Sequence, residues 1–109
     1  MRIQDILDAI NKILAHTADV DFGAFAADAW MVDAVLRNLT VIGEAARHIP
    51  EDVTSAHPDL PWNEMRDMRN IVVHRYFGVD PAIIWRTIRE DLPPLVSQLE
   101  ALLRGWKTQ

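Results

Sequence analysis

The residues of this chain that could do chemistry gather in one stretch, Arg69-Asn70-Ile71-Val72-Val73-His74-Arg75-Tyr76. A guanidinium keeps its charge and presents a fork of donors that matches two phosphate oxygens, so Arg69 is suited to gripping a phosphodiester. Histidine titrates near neutrality, which suits His74 to taking or giving a proton. RNA carries its own nucleophile in the 2′-hydroxyl. Breaking an RNA strand without a metal then requires a base for that hydroxyl, an acid for the departing 5′-oxygen, and cations around the phosphorane. One His74 per chain cannot conveniently be base and acid in the same step. A two-fold dimer that brings two copies together would supply both, and such dimers are the commonest oligomers.

On a helix that turns about 100° per residue, Asn70 lies about 100° round from Arg69, His74 about 140° and Tyr76 about −20°. Asn70 and His74 are then i,i+4 neighbours, within reach of one shared ligand. Arg69 stands at the edge of that face, and its long side chain can swing toward it. Arg75 and Arg66 add local positive charge. The same spacing also arises on a solvated helix face, or where such residues pair with Glu64 or Asp67. The residues alone leave both readings open.

The elements that must position this stretch are all helical. Ile3, Ile6, Leu7, Ile10, Ile13 and Leu14 return to one face of a helix over residues 2 to 17, with Asp5, Asp8, Asn11 and Lys12 on the other. Phe22-Gly23 breaks the pattern, and a longer helix then runs to Ile49. Its stripe is Val32, Val35, Leu36, Leu39, Ile42, Ala46 and Ile49. Asp28 is a candidate cap for it, with Ala24 to Ala27 as a possible short turn before it. Gly43 sits inside this helix, where glycine costs about 1 kcal/mol relative to alanine, so its presence implies a close backbone approach. That approach could be another helix of the same chain or a functional contact.

Residues 50 to 61, with three prolines, read as a connection with room for one helical turn. Pro61 suits the first position of a third helix, whose stripe is Trp62, Met65, Met68, Ile71 and Val72 and which should end near Phe77-Gly78. Asp80-Pro81 reads as the cap and first turn of a fourth. That helix should bury Ile83, Ile84, Trp85, Ile88 and Leu92. Pro93-Pro94 should kink or divide it before Leu95, Val96, Leu99, Leu102 and Leu103, with Gly105 as a C-terminal cap. No strand pattern appears. The expected fold is all-α, an antiparallel four-helix bundle with a proline-kinked last helix, forming one domain over residues 1–109.

Composition narrows the function classes. There are no cysteines, which excludes disulfides, thiol catalysis and zinc–thiolate sites and fits a cytoplasmic location. His16, His48, His57 and His74 offer no metal-ligand spacing on a shared helix, so neither a metal nor a cofactor is expected. No signal-peptide core or membrane-spanning run is present. The formal charge of −5 argues against broad, charge-driven nucleic-acid binding. A polyanion would have to be held locally, by a few well-placed cations.

Arg69-Asn70 with His74 and Tyr76 spells R-N-x-x-x-H-x-Y, which resembles the signature of the HEPN-class ribonucleases, specifically the HepT-like toxins. Gly43-Glu44-Ala45-Ala46 is similar to that family's G-E-A element. Pro61-Trp62, Met68-Arg69-Asn70, His74 through Asp80, Trp85 and Asp91-Leu92-Pro93 follow in the family's order. The resemblance implies a homodimeric, metal-independent RNase with RNA as substrate and the motif of both subunits lining the interface. Arg69 and His74 would be the catalytic pair, with Asn70 orienting them. It also implies a toxin–antitoxin module, in which an MntA-like nucleotidyltransferase antitoxin uses ATP to place AMP on Tyr76. Bulk and negative charge beside Arg69 would then block phosphate binding. Glu44 and Arg75 stand as site-adjacent residues. Two other readings use the same residues: a non-catalytic helical partner or nucleotide-binding subunit of a nucleotidyltransferase, and a plain helical dimerisation module.

Overall fold

A computed structural model describes residues 2–75 and 80–107, and the side chains of all of these except 72–75, 106 and 107. Every regular element among the described residues is a helix. Four long helical stretches carry the core: α1 (Arg2–Thr17), α3 (Ala29–Arg47), α5 (Trp62–Arg75), and a last stretch made of α6 (Pro81–Arg86), a π turn (Thr87–Asp91) and α7 (Leu92–Lys107). Two short helices, α2 (Phe22–Ala27) and α4 (Glu51–Ala56), fill the connections. α3 is the central element, packing on both α5 and α1, while α1 also packs on α7. The end of α1 (Ile13, His16) shares a groove with the start of α3 (Met31, Val35), as antiparallel neighbours must.

The apolar stripes become the core. Ile3, Ile6, Leu7, Ile10 and Ile13 of α1 meet Val32, Val35, Leu36, Leu39, Ile42 and Ala46 of α3. Trp62, Met65 and Met68 of α5 and Ile84, Ile88, Leu92, Leu95, Leu99 and Leu102 of the last stretch close the bundle. Ile83 departs from expectation and is 40 % exposed, whereas Ile84, about 100° further round the helix, is fully buried. Val72, part of the stripe expected for the third helix, has a side chain outside the description.

Caps mark the boundaries. The carboxylate of Asp28 accepts from Met31 N–H at 3.1 Å and starts α3, as expected. Phe22-Gly23 does not break the chain as its composition suggests; Asp21 caps a helix that begins at Phe22, its carboxylate accepting from Ala24 N–H at 2.8 Å. A side-chain cap of this kind is worth about 1 kcal/mol, enough to nucleate a short turn through a glycine. Asp80 caps α6 with Pro81 in its first turn. Gly105 is not a terminator: α7 continues through it to Lys107. The ending of α5 near Phe77-Gly78 falls outside the described residues.

Pro93 and Pro94 have no N–H to donate and would clash with carbonyls one turn back. The chain answers by widening a turn just ahead of them. Leu92 N–H reaches the carbonyl of Thr87, five residues back, and α7 starts on the next register with its prolines in the first turn. The π turn also carries Arg89. Its guanidinium donates to the carbonyls of Thr17 and of Val20 (2.9 Å for Val20) and lies 4.2 Å over the ring of Trp85. One side chain thus closes the C-terminal end of α1 onto the last helical stretch. Replacing Arg89 with alanine should lower stability by about 1–2 kcal/mol through the lost charge-assisted bonds and ring contact, read as a reduced urea midpoint with an unchanged m-value.

A candidate phosphodiester site on the seam between α3 and α5

The seam is set by Gly43. A Cβ built on Gly43 would lie 2.9 Å from the backbone nitrogen of Arg69, 3.0 Å from its Cβ and 3.2 Å from the carbonyl oxygen of Arg66. The close approach implied by a helix-interior glycine is therefore the backbone of α5. Its effect is to bring the next residue of α3 up to the motif. Glu44 Oε1 sits 2.9 Å from Arg69 Nε, so the ion pair of Arg69 crosses to α3 instead of forming with Glu64 or Asp67 on its own helix. Both side chains are a little under half exposed. Such a surface pair contributes about 0.2–1 kcal/mol, so its main consequence is geometric. It fixes the guanidinium through Nε and leaves Nη1 and Nη2 without a partner among the described residues.

The same carboxylate oxygen also faces Arg47, whose Nη1 lies 3.6 Å away. One residue on, His48 turns its Nδ1 to the carbonyl of Glu44 at 2.8 Å, and a carbonyl can only accept, so that nitrogen carries the proton. Neither residue stood among the site residues expected from the sequence. The signal was there in the i,i+3 and i,i+4 spacing from Glu44, but only the seating of Gly43 on α5 makes that face part of the site.

Asn70 is exposed, with its amide 3.4 Å from Asp67 Oδ1, a long bond that leaves it easy to redirect. Arg66 donates from Nη1 to Asn63 Oδ1 at 3.0 Å. The backbone of α5 is helical through His74 and Arg75, which keeps the Arg69-to-His74 register; the side chains of both later residues lie outside the description, as does Tyr76 altogether. His16 bonds Lys12 through its own helix, and the backbone carbonyl of His57 accepts from the indole of Trp62 at 2.9 Å. No cluster of three potential metal ligands occurs among the described residues. A separate groove of about 440 Å³ between α5 and the last stretch is rimmed by Glu64, Asp67, Glu90 and Asp91 and would repel a phosphate. No described helix is long and apolar enough to cross a membrane.

Residues 6–102 match the family model described as ribonuclease HepT-like. A protein of Thermococcus cleftensis named "Probable ribonuclease HepT" is 42 % identical over 100 residues, covering 92 % of this chain and 91 % of that one. "Putative RNase MJ1380" of Methanocaldococcus jannaschii is 38 % identical over 98 residues, covering 90 % of each. No solved structure matches the chain.

Gly43→Ala should test the seam. Alanine favours a helix by about 1 kcal/mol over glycine, yet its methyl would press on backbone that cannot yield cheaply, and overpacking typically costs about 1–3 kcal/mol. The expected net result is a destabilised protein, seen as a lower urea midpoint; a midpoint equal to or above that of the parent would mean the helices separate freely here.

Proposed function

Because the chain belongs to the HepT-like ribonuclease family, we propose that this ribonuclease is a metal-independent endonuclease toxin whose site is completed by a second copy of the chain. The single observation that carries the reading is the Arg69 guanidinium, held through Nε by Glu44 with both terminal nitrogens open to a ligand. That is the arrangement a phosphate-gripping arginine needs, since its fork is oriented before the anion arrives. His74, five residues along the same helix, takes the proton of the RNA 2′-hydroxyl. The 2′-oxygen attacks phosphorus and the bond to the 5′-oxygen breaks. The partner subunit's His74 supplies the proton to the leaving oxygen. Arg69 stabilises the charge that builds on the non-bridging oxygens, and Asn70 orients the pair. The products are a 2′,3′-cyclic phosphate and a free 5′-hydroxyl.

Regulation follows from the same electrostatics. An antitoxin of the nucleotidyltransferase class transfers AMP from ATP to the Tyr76 hydroxyl and releases pyrophosphate. The added phosphate competes for Arg69, and the nucleoside occludes the strand.

The deciding experiment is cleavage of total RNA in EDTA by purified protein. Fragments ending in 2′,3′-cyclic phosphate are expected, with rates lowered on the order of 10²–10⁴-fold in His74→Ala and strongly in Arg69→Ala. Protein that is unmodified by intact mass and binds nucleotide without cutting RNA would instead favour a binding subunit. Incubation with ATP and the nucleotidyltransferase antitoxin should raise the mass by AMP and abolish cleavage, and Tyr76→Phe should escape both effects.

A further inference from the structure

Glu44 is one carboxylate serving two guanidiniums. Its Oε1 makes a hydrogen-bonded pair with Arg69 Nε at 2.9 Å, whereas Arg47 Nη1 at 3.6 Å feels the charge without a proper bond. The spot therefore keeps an excess of positive charge in a chain whose net charge is −5. The Arg47 side chain is half exposed, and no other described group holds it. His48 adds a second polar group beside it, its Nδ1 bonded to the Glu44 carbonyl and its Nε2 without a partner among the described residues.

Their placement is set by the helix. Counting round α3 at about 100° per residue, Gly43, Arg47, Glu44 and His48 fall within an arc of about 140°. Gly43 is seated against Arg69 itself. Arg47 and His48 therefore lie along the same seam as the Arg69–Glu44 pair, one turn toward the C-terminal end of α3. A helix C-terminus carries negative partial charge, which ordinarily opposes an anion. Here three of the last four carbonyls are engaged: His48 Nδ1 donates to that of Glu44, and the His48 backbone N–H to those of Ala45 and Ala46. The carboxylate now shared by two arginines occupies the kind of place a phosphate oxygen would take.

We propose that Arg47, assisted by His48, forms a second phosphate subsite beside Arg69, holding the backbone phosphate next to the scissile one in a single-stranded RNA. The inference rests on the ribonuclease reading of Arg69 and His74. It extends the site from the α5 motif onto α3 and gives an acidic protein a local grip on a polyanion. Arg47 in this role binds the strand and does not touch the reacting atoms.

The test is binding of a 2′-O-methyl oligoribonucleotide, which cannot be cleaved, followed by fluorescence anisotropy over a range of salt concentrations, alongside steady-state cleavage of the matching RNA. Arg47→Ala is expected to weaken binding roughly three- to tenfold. It should also flatten the log Kd against log salt slope by about 0.7, the value for one phosphate contact on a single strand. The loss in cleavage should fall mainly on KM. Arg47→Lys should keep the salt slope, and His48→Ala should weaken binding by a smaller factor. Arg86→Ala, which removes an exposed arginine of α6, should leave both Kd and slope unchanged. Melting curves on each variant separate lost binding from lost structure. An unchanged Kd and slope in a folded Arg47→Ala protein would overturn the subsite while leaving ribonuclease activity intact. Wild-type protein that neither binds the oligomer nor cleaves RNA would overturn both readings together.

Discussion

The geometry around Arg69 depends on how closely α3 and α5 can approach, and a missing methyl group sets that distance. With the Arg69 backbone nitrogen 2.9 Å from where a Cβ of Gly43 would stand, any other residue there must push the helices apart or distort one of them. The close approach lets a side chain as short as glutamate span the seam and orient Arg69. A longer gap would leave Arg69 to find a partner on its own helix or in water. The glycine's propensity cost of about 1 kcal/mol is thus set against an interhelical geometry that no larger residue permits.

The electrostatics are local. The Glu44–Arg69 pair is too exposed to stabilise the fold by more than a small fraction of its total, so its role is to choose one direction for a flexible side chain. Ordering a guanidinium in advance removes part of the entropy otherwise lost when the anion binds. The same carboxylate tempers the charge of two arginines without cancelling it. In a chain of net charge −5, such a seam confines the attraction for a polyanion to one place.

The far side of the bundle answers a different constraint. Two consecutive prolines would break an ordinary helix interior, yet the apolar stripe of the last stretch needs to run from Ile84 to Leu102. The π turn at Thr87–Asp91 resolves the conflict by resetting the hydrogen-bond register before the prolines. It also presents Arg89 to the end of α1. A widened turn and one arginine add a polar tie to the apolar packing of the first helix on the last.

The helical architecture was legible in the sequence because period and caps are local properties. The stripes of α1 and α3, the Asp28 and Asp80 caps, and the proline-marked break in the last helix are all carried by residues within a turn or two of one another. The reading failed where a local signal was ambiguous: Phe22-Gly23 proved to be the start of a capped helix, and Gly105 lay within one. Arg69 and His74 stood out by chemistry and spacing, and the ribonuclease family by its ordered motifs. Only the tertiary structure decided what meets Gly43, which carboxylate holds Arg69, and that Arg47 and His48 belong to the same seam. Those facts join α3 to α5 across a stretch of sequence with no periodic relation between its ends. A side chain's register on its own helix follows from the chain; the identity of the helix packed against it follows from how the whole core closes.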